Sequence, residues 1–375
     1  MNEERVEKVE TEKKKGFFAR LSLPKKVILV IVTVLIIVTA GVGLVFFVIT
    51  NNGKNSIYKG YESNNRMEAA KTVQYNGKEY KYRDNLINIL VMGIDKEMTL
   101  SQMKESRTEE EEELMTGGGR ADTLILITID PDNKKISAMP INRYTMADVY
   151  NFDEISGEYY PAEEQIGLQH ARSTGLEDGC ELQVKAVSEM LNDLPINAYA
   201  AINLPAIRVL NNLVGGVEVE VLEDIPPVAH KDYDYGIGDS LTGVIGQKIL
   251  LNDNQAYAYV RYRNMELVGD SNDKRMARQK QYLKGLIKKI VSATKKDFTF
   301  PMKIMDGLSD YLVTDIDTSE LIYIGSSFMG YNVDLDNMLQ LPGELYWVSE
   351  DYMGFKLDEE GLKDLIIKNF YTAVD

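Results

Sequence analysis

The 375-residue chain has one cysteine, Cys180, and two histidines, His170 and His230. A single cysteine forms no internal disulfide, so a chain of this length must rely on its core. Two histidines without metal-ligand spacing offer little for a zinc site. Basic charge is also in short supply. There are 42 Lys and Arg against 58 Asp and Glu, a formal net charge of −16. That balance argues against a general nucleic-acid binder, whose contact face would be basic, and leaves room only for a small local basic site.

Apolar residues make up 44% of the chain, the usual share for a globular protein. The length suits one large domain or two ordinary ones. One segment stands apart. Residues 27–49, "VILVIVTVLIIVTAGVGLVFFVI", carry no charge, and at 1.5 Å per residue they span roughly 35 Å, enough to cross a hydrocarbon core of about 30 Å. The run is too long for a cleaved signal peptide and ends in Phe46, Phe47 and Ile49 instead of small residues before a cut site. It therefore reads as an uncleaved transmembrane helix. Lys13, Lys14, Lys15, Arg20, Lys25 and Lys26 precede it and the following flank is nearly neutral. The positive-inside rule then makes residues 1–26 a cytoplasmic tail and places everything after Asn51 outside, in a single-pass protein of the cell membrane.

Beyond the anchor, residues 50–83 read as a polar stalk followed by a hairpin, whose Asn76-Gly77 turn joins two short alternating runs. Residues 84–375 show no internal repeat and no second linker. "INILVMGID", "TLILITID" and "KKISAMPI" are short strands, the last two antiparallel across a "PDN" turn. Runs that are apolar on both faces fit a sheet covered by helices on both sides. Helices are expected over "ELQVKAVSEML", "LPAIRVLNNLVGG", "NDNQAYAYVRYRN" and "NDKRMARQKQYLKGLIKKIV". The third opens with Asn252 and Gln255 at capping-box spacing. The acidic run at residues 109–113 reads as a solvated loop.

Two tempting motifs fail on mechanism. "GIGDSL" contains a Gly-Asp-Ser-Leu string found in a class of esterases, but those enzymes place a histidine base far downstream, and here both histidines precede the serine. "GGGRAD" has Asp122 where a dinucleotide fingerprint needs its last glycine. Arginine and aspartate remain. Arg120 and Asp122 stand at the mouth of one strand, Arg143 follows the next, and Arg261 and Arg263 lie two apart. Arg275, Arg278 and Gln279 share one face of the long helix's first turns. Each alone could be a surface cation. Together, at element ends in an acidic chain, they suit phosphate, whose oxygens match arginine's planar fork. Aspartates at strand ends can hold Mg²⁺, which needs only one or two protein carboxylates. Such a set fits phosphoryl transfer, where positioning and charge neutralisation do most of the catalysis. Outside a membrane the donor must arrive already activated, and a lipid-linked pyrophosphate meets that need.

At these residues the sequence resembles the LytR-CpsA-Psr family of bacterial cell-envelope proteins. The shared pattern runs "NILVMGID", "RADT", "RYT", "LVGGVEVEV", "QAYAYVRYRN" and "RMARQKQ" in order, with "YLVTDIDTSEL" towards the end. The resemblance implies that residues 84–375 form an α/β domain, a three-layer α-β-α sandwich with a central mixed sheet and a groove for a polyprenyl chain. It implies an Mg²⁺-dependent phosphotransferase that moves a glycopolymer, such as teichoic acid or capsule, from undecaprenyl pyrophosphate to peptidoglycan. By motif position Asp95 and Asp122 take the metal side. Arg120, Arg143, Arg261, Arg263, Arg275 and Gln279 take the pyrophosphate, with Arg278 beside them on the same helix face. Asp95, Arg120, Asp122 and Arg143 form the catalytic group. Two departures bear on catalytic competence. The family's Arg-Asp-Thr is Arg143-Tyr144-Thr145 here, and a lengthened "GDSNDKR" leaves Asp270 and Asp273 competing for one family position. A non-catalytic binder of polyprenyl-pyrophosphate sugars, or a scaffold of envelope assembly, is the alternative. A transcription attenuator fits poorly with an exported, strongly acidic domain.

Overall fold

Short runs that are apolar on both faces build a six-stranded sheet. The computed structural model describes residues 44–60, 72–106, 117–153, 155–173, 176–226, 241–262, 270–334 and 337–374. Most of the expected anchor, the acidic run, the serine of "GIGDSL" and Arg263 lie outside the described residues. Among those described, no helix is long and apolar enough to cross a membrane.

Helix α1 covers residues 44–60. The polar stretch read as a stalk is therefore helical up to residue 60, and it is part of the compact unit 52–375. Ile57 is fully buried and its carbonyl accepts a hydrogen bond from Asn197 Nδ2 at 3.1 Å, so the stretch packs on the body instead of standing free. The hairpin follows as β1 (Thr72–Tyr75) and β2 (Lys78–Tyr82), turned by Asn76 and Gly77 at φ 50° and 75°. Next come β3 (Ile87–Ile94), α2 (Leu100–Ser106), β4 (Ala121–Asp130) and β5 (Lys135–Ile141). A second hairpin, β6 (Met146–Asp153) and β7 (Glu158–Gln165), leads into a 3-10 helix (Ile166–Arg172) and α3 (Glu177–Met190). Then β8 (Ala198–Asn203), α4 (Ala206–Leu213), β9 (Glu218–Glu220), β10 (Lys248–Leu250), α5 (Asp253–Arg261) and α6 (Asp270–Lys296) follow. The chain closes with α7 (Phe300–Gly307), β11 (Leu312–Thr314), α8 (Thr318–Phe328), β12 (Asn332–Asp334), β13 (Gly343–Ser349), β14 (Tyr352–Leu357), α9 (Glu359–Phe370) and β15 (Tyr371–Ala373).

The central sheet has the order β11-β8-β3-β4-β5-β12. It is mixed: β3 pairs parallel to β8 and antiparallel to β4, and β4 pairs antiparallel to β5, as expected from the "PDN" turn. One face is sealed. Leu90, Met92, Ile94, Leu124 and Leu126 are buried in one cluster with Val184 and Val187 of α3 and Ile366 and Phe370 of α9. The other face is covered piecemeal. Ile87, Ile89 and Ile129 pack with Ile57 and with Tyr323 and Phe328 of α8, while Ile125 and Ala138 meet Leu283 and Ile287 of α6. Helices thus lie on both faces of a mixed sheet. Between the patches Val91, Gly93, Ile127, Ala200 and Ile202 are only half-buried and Thr123 is exposed. Residues two apart on a strand share a face, so these half-open positions line the middle of the second face.

Candidate active site

Because β4 runs antiparallel to both neighbours, the end of β3, the start of β4 and the end of β5 fall on one sheet edge. That brings Asp95, Arg120, Asp122 and Arg143 together. Thr123 pairs with Gly93 but Ala121 pairs with Ile94, which leaves Asp122 as the extra residue of a β-bulge. A bulge interrupts the alternation and re-aims a side chain, and here it frees Asp122 to ion-pair with Arg143. Asp95 N–H donates to the Arg120 carbonyl at 2.8 Å, tying the two loops. Arg143 also donates to Tyr144 Oη at 2.6 Å, with its guanidinium carbon 4.7 Å from the tyrosine ring centroid. Burial works against the Arg143 charge, but Asp122 and Tyr144 outweigh it and raise its pKa above the ordinary value. The phenol therefore orients the arginine, one of the tasks open to the missing aspartate.

The 3-10 helix supports this edge from beneath. Gly167 N–H donates to the Arg143 carbonyl at 3.0 Å, and a Cβ at Gly167 would sit 2.9 Å from that of Arg143. Only glycine allows so close an approach. His170 Nδ1 lies 3.0 Å from the carbonyl of Gly119, and Gly118 N–H donates to the Ser173 carbonyl at 3.1 Å, so the loop carrying Arg120 is pinned. Burial lowers the His170 pKa and keeps the ring neutral. Its Nε2 is 3.8 Å from Cys180 Sγ, whose pKa burial raises. A thiol held protonated in this way is a poor nucleophile.

The second group comes from α5, whose start carries the expected capping box: Asn252 accepts from Gln255 N–H at 2.8 Å and its own N–H donates to Gln255 Oε1 at 3.1 Å. At the other end Arg261 ion-pairs with Glu97 and donates to Tyr257 Oη. Tyr257 Oη donates to Glu97 at 2.5 Å, and the Arg208 guanidinium stacks 3.9 Å from the Tyr257 ring centroid. Burial lowers the Arg261 pKa and the charge of Asp95 opposes that fall. Asp95 thus links the two groups electrostatically.

Arg278 is a correction. It does not share the site face but is fully buried, ion-paired to Glu223 and donating to the carbonyls of Tyr259, at 2.8 Å, and Tyr262. It clamps the end of α5 to α6. Gln279 Nε2 donates to the Val260 carbonyl at 3.2 Å, next to Arg261, and Arg275 is half-buried one turn earlier. Asp270 opens α6 and Asp273 lies in its first turn, but their side chains fall outside the described residues.

Glu97, Tyr257 and Arg208 escaped the sequence reading. Glu97 carried a signal, standing two residues after Asp95 past the same strand end. Tyr257 and Arg208 carried none, since their relevance arises from the meeting of α4 with α5. Among the described residues no cluster of three or more His, Cys, Asp or Glu could hold a metal ion. Asp95 and Asp122 stand at the same end of the sheet, and Mg²⁺ is an ion that takes only one or two protein carboxylates.

A family model described as the LytR_cpsA_psr family matches residues 44–368. The polyisoprenyl-teichoic acid–peptidoglycan teichoic acid transferase TagU of Enterococcus faecalis is 26% identical over 292 residues, 78% of each chain. The crystal structure of Bacillus subtilis TagV superposes with a TM-score of 0.53 at 23% identity, covering 75% of this chain and 94% of that one. A structure of TagT bound to LIIa-WTA gives a TM-score of 0.51 at 22% identity, covering 80% and 94%.

Proposed function

The chain belongs to the LytR-CpsA-Psr family, and from that premise we propose that it is a membrane-anchored extracellular phosphotransferase. Its donor is a glycopolymer of teichoic acid or capsule type on polyprenyl pyrophosphate, and its acceptor is peptidoglycan. The single observation that carries the reading is an arginine-rich site beside a half-open apolar face. Arg143 pairs with Asp122, Arg261 feels the charge of Asp95 and the Arg120 backbone is tied to Asp95, while Val91, Ile127 and Ile202 leave the middle of the second face of the sheet incompletely covered. A pyrophosphate and an isoprenoid tail require those two surfaces side by side.

The acceptor hydroxyl oxygen attacks the glycan-bearing phosphorus, the anhydride bond breaks, and polyprenyl phosphate leaves. Arg143, fixed by Asp122, Tyr144 and the glycine at 167, binds the pyrophosphate oxygens. Arg261, held by Glu97 and Tyr257, binds them from the α5 side. Asp95, exposed and beside Arg261, takes the acceptor proton at its carboxylate. Asp95 and Asp122 would hold Mg²⁺, which neutralises pyrophosphate charge when bound. The names of TagU and TagV as teichoic acid transferases support the same substrate class.

The test is to incubate the purified full chain with a polyprenyl-pyrophosphate-linked glycan, peptidoglycan and Mg²⁺, and to follow release of polyprenyl phosphate. Turnover should depend on Mg²⁺ and vanish in Asp95→Ala. The presence of Tyr144 in place of a carboxylate favours one second reading, a non-catalytic binder. Tight donor binding without turnover would establish it.

A further inference from the structure

Charge is distributed very unevenly in this acidic chain. Residues 274–296, nearly all of α6, carry nine Lys and Arg and no Asp or Glu, against a net charge of −16 for the whole. The core contacts fix how the helix is turned. Tyr282 and Leu286 are buried with Val217 and Val219, and Leu283 and Ile287 lean on the sheet. At 100° per residue, Lys280, Lys284, Lys288, Val291 and Lys295 fall within about 100° of one another, on the side these contacts leave open. The stripe runs about 22 Å. Lys280, Lys288 and Lys295 are exposed and form no ion pair among the described residues.

The stripe is not purely ionic. It borders a cleft of about 280 Å³ in which Ile287, Val291 and Val333 form an apolar floor between Lys284, Lys288 and Lys295. Just past the helix, Phe298 is 60% exposed. Two neighbouring anions are already engaged: Asp334, beside Val333, pairs with Lys135 at 3.1 Å, and Asp297 pairs with Lys303 at 2.7 Å. An aliphatic floor rimmed by lysines, with an exposed aromatic following in the chain, is the chemistry of an interfacial surface. Apolar groups enter the headgroup boundary while ammonium groups meet lipid phosphates.

We propose that this face of α6 is a docking surface for the anionic headgroups of a phospholipid bilayer. A soluble polyanion would match the lysines but leave the apolar floor and Phe298 without a role. The surface is built from residues outside the Asp95–Arg261 site, so it holds or falls independently of the transfer reaction.

Ser292 is exposed in the cleft and the only cysteine is buried, so Ser292→Cys can carry a polarity-sensitive fluorophore. The full chain is placed in nanodiscs of phosphatidylcholine with or without phosphatidylglycerol. Emission should shift to the blue only with phosphatidylglycerol, and the shift should disappear at high salt. Replacing Lys280, Lys288 and Lys295 together by Gln should lower the docked-to-undocked ratio about a hundredfold, at about fivefold per lysine, while three Lys→Arg replacements should preserve it. Turnover with donor presented in detergent should be the same in all variants, which separates this test from that of the transfer reaction. Equal emission in both lipids, or a shift that survives the Gln replacements, would overturn the proposal. So would an equal shift produced by soluble polyphosphate in phosphatidylcholine discs, which would assign the face to a polyanion.

Discussion

At the scale of single residues, Tyr144 decides how much catalysis to expect. It orients Arg143 through a 2.6 Å hydrogen bond but offers no carboxylate to accept a proton or hold a metal ion. Tyr144→Asp should therefore raise Mg²⁺-dependent turnover, and Tyr144→Phe, which leaves Arg143 one partner short, should lower it by about tenfold or more, the scale of a hydrogen bond to a charged group. A steady-state comparison of the three forms checks this; equal rates would remove Tyr144 from the site. The strand-end residues Arg120, Asp122 and Arg143 were legible in the sequence because a residue flanking an apolar run has a fixed place at the sheet edge. Arg278 was misread because helical spacing shows which residues share a face but not where that face points. Its neighbour Gln279 meets the end of α5 beside Arg261, while Arg278 fills the core against Glu223.

At the scale of elements, the strands and the helices with clear apolar stripes emerged close to their expected bounds. The 3-10 helix did not, since "IGLQHAR" has neither a helical stripe nor a cap. It proves to be the bracket of the site, and His170 is its titratable part. Burial holds the ring below its ordinary pKa, so the folded chain binds a proton less readily than the unfolded one, which titrates near pH 6.5. Stability from this group is complete above that value and is lost as the pH falls below it. The melting temperature should fall between about pH 6.5 and 5, and His170→Gln should flatten that part of the profile. If the slope is the same in the variant, other groups control it. The stretch before β1 was misjudged for a different reason. Its polar composition suggested a stalk, yet Ile57 and Tyr58 pack against the cluster of Tyr323 and Phe328 and dock that turn of helix.

At the scale of the whole molecule, the order of charges along the chain makes the orientation testable. Lysines and arginines crowd the residues before the expected anchor, so protease added to intact wall-stripped cells should remove residues 51–375. Digestion only after permeabilisation would reverse the topology. Both ends of the body also share one small sheet. β15 lies against β2, pairing Tyr371 with Tyr82, and β14 hangs on the site loop through a 2.7 Å hydrogen bond from Phe355 N–H to the Tyr144 carbonyl. Timing follows from this. A chain made from its N-terminus presents the β1–β2 hairpin early and supplies β15 about 290 residues later, so the free edge of β2 stays open through that interval. The loop bearing Arg143 likewise waits for Phe355. A chain that stops before residue 355 would carry Arg120, Arg143 and Arg261 and still lack the hydrogen bond that steadies the backbone beside Arg143.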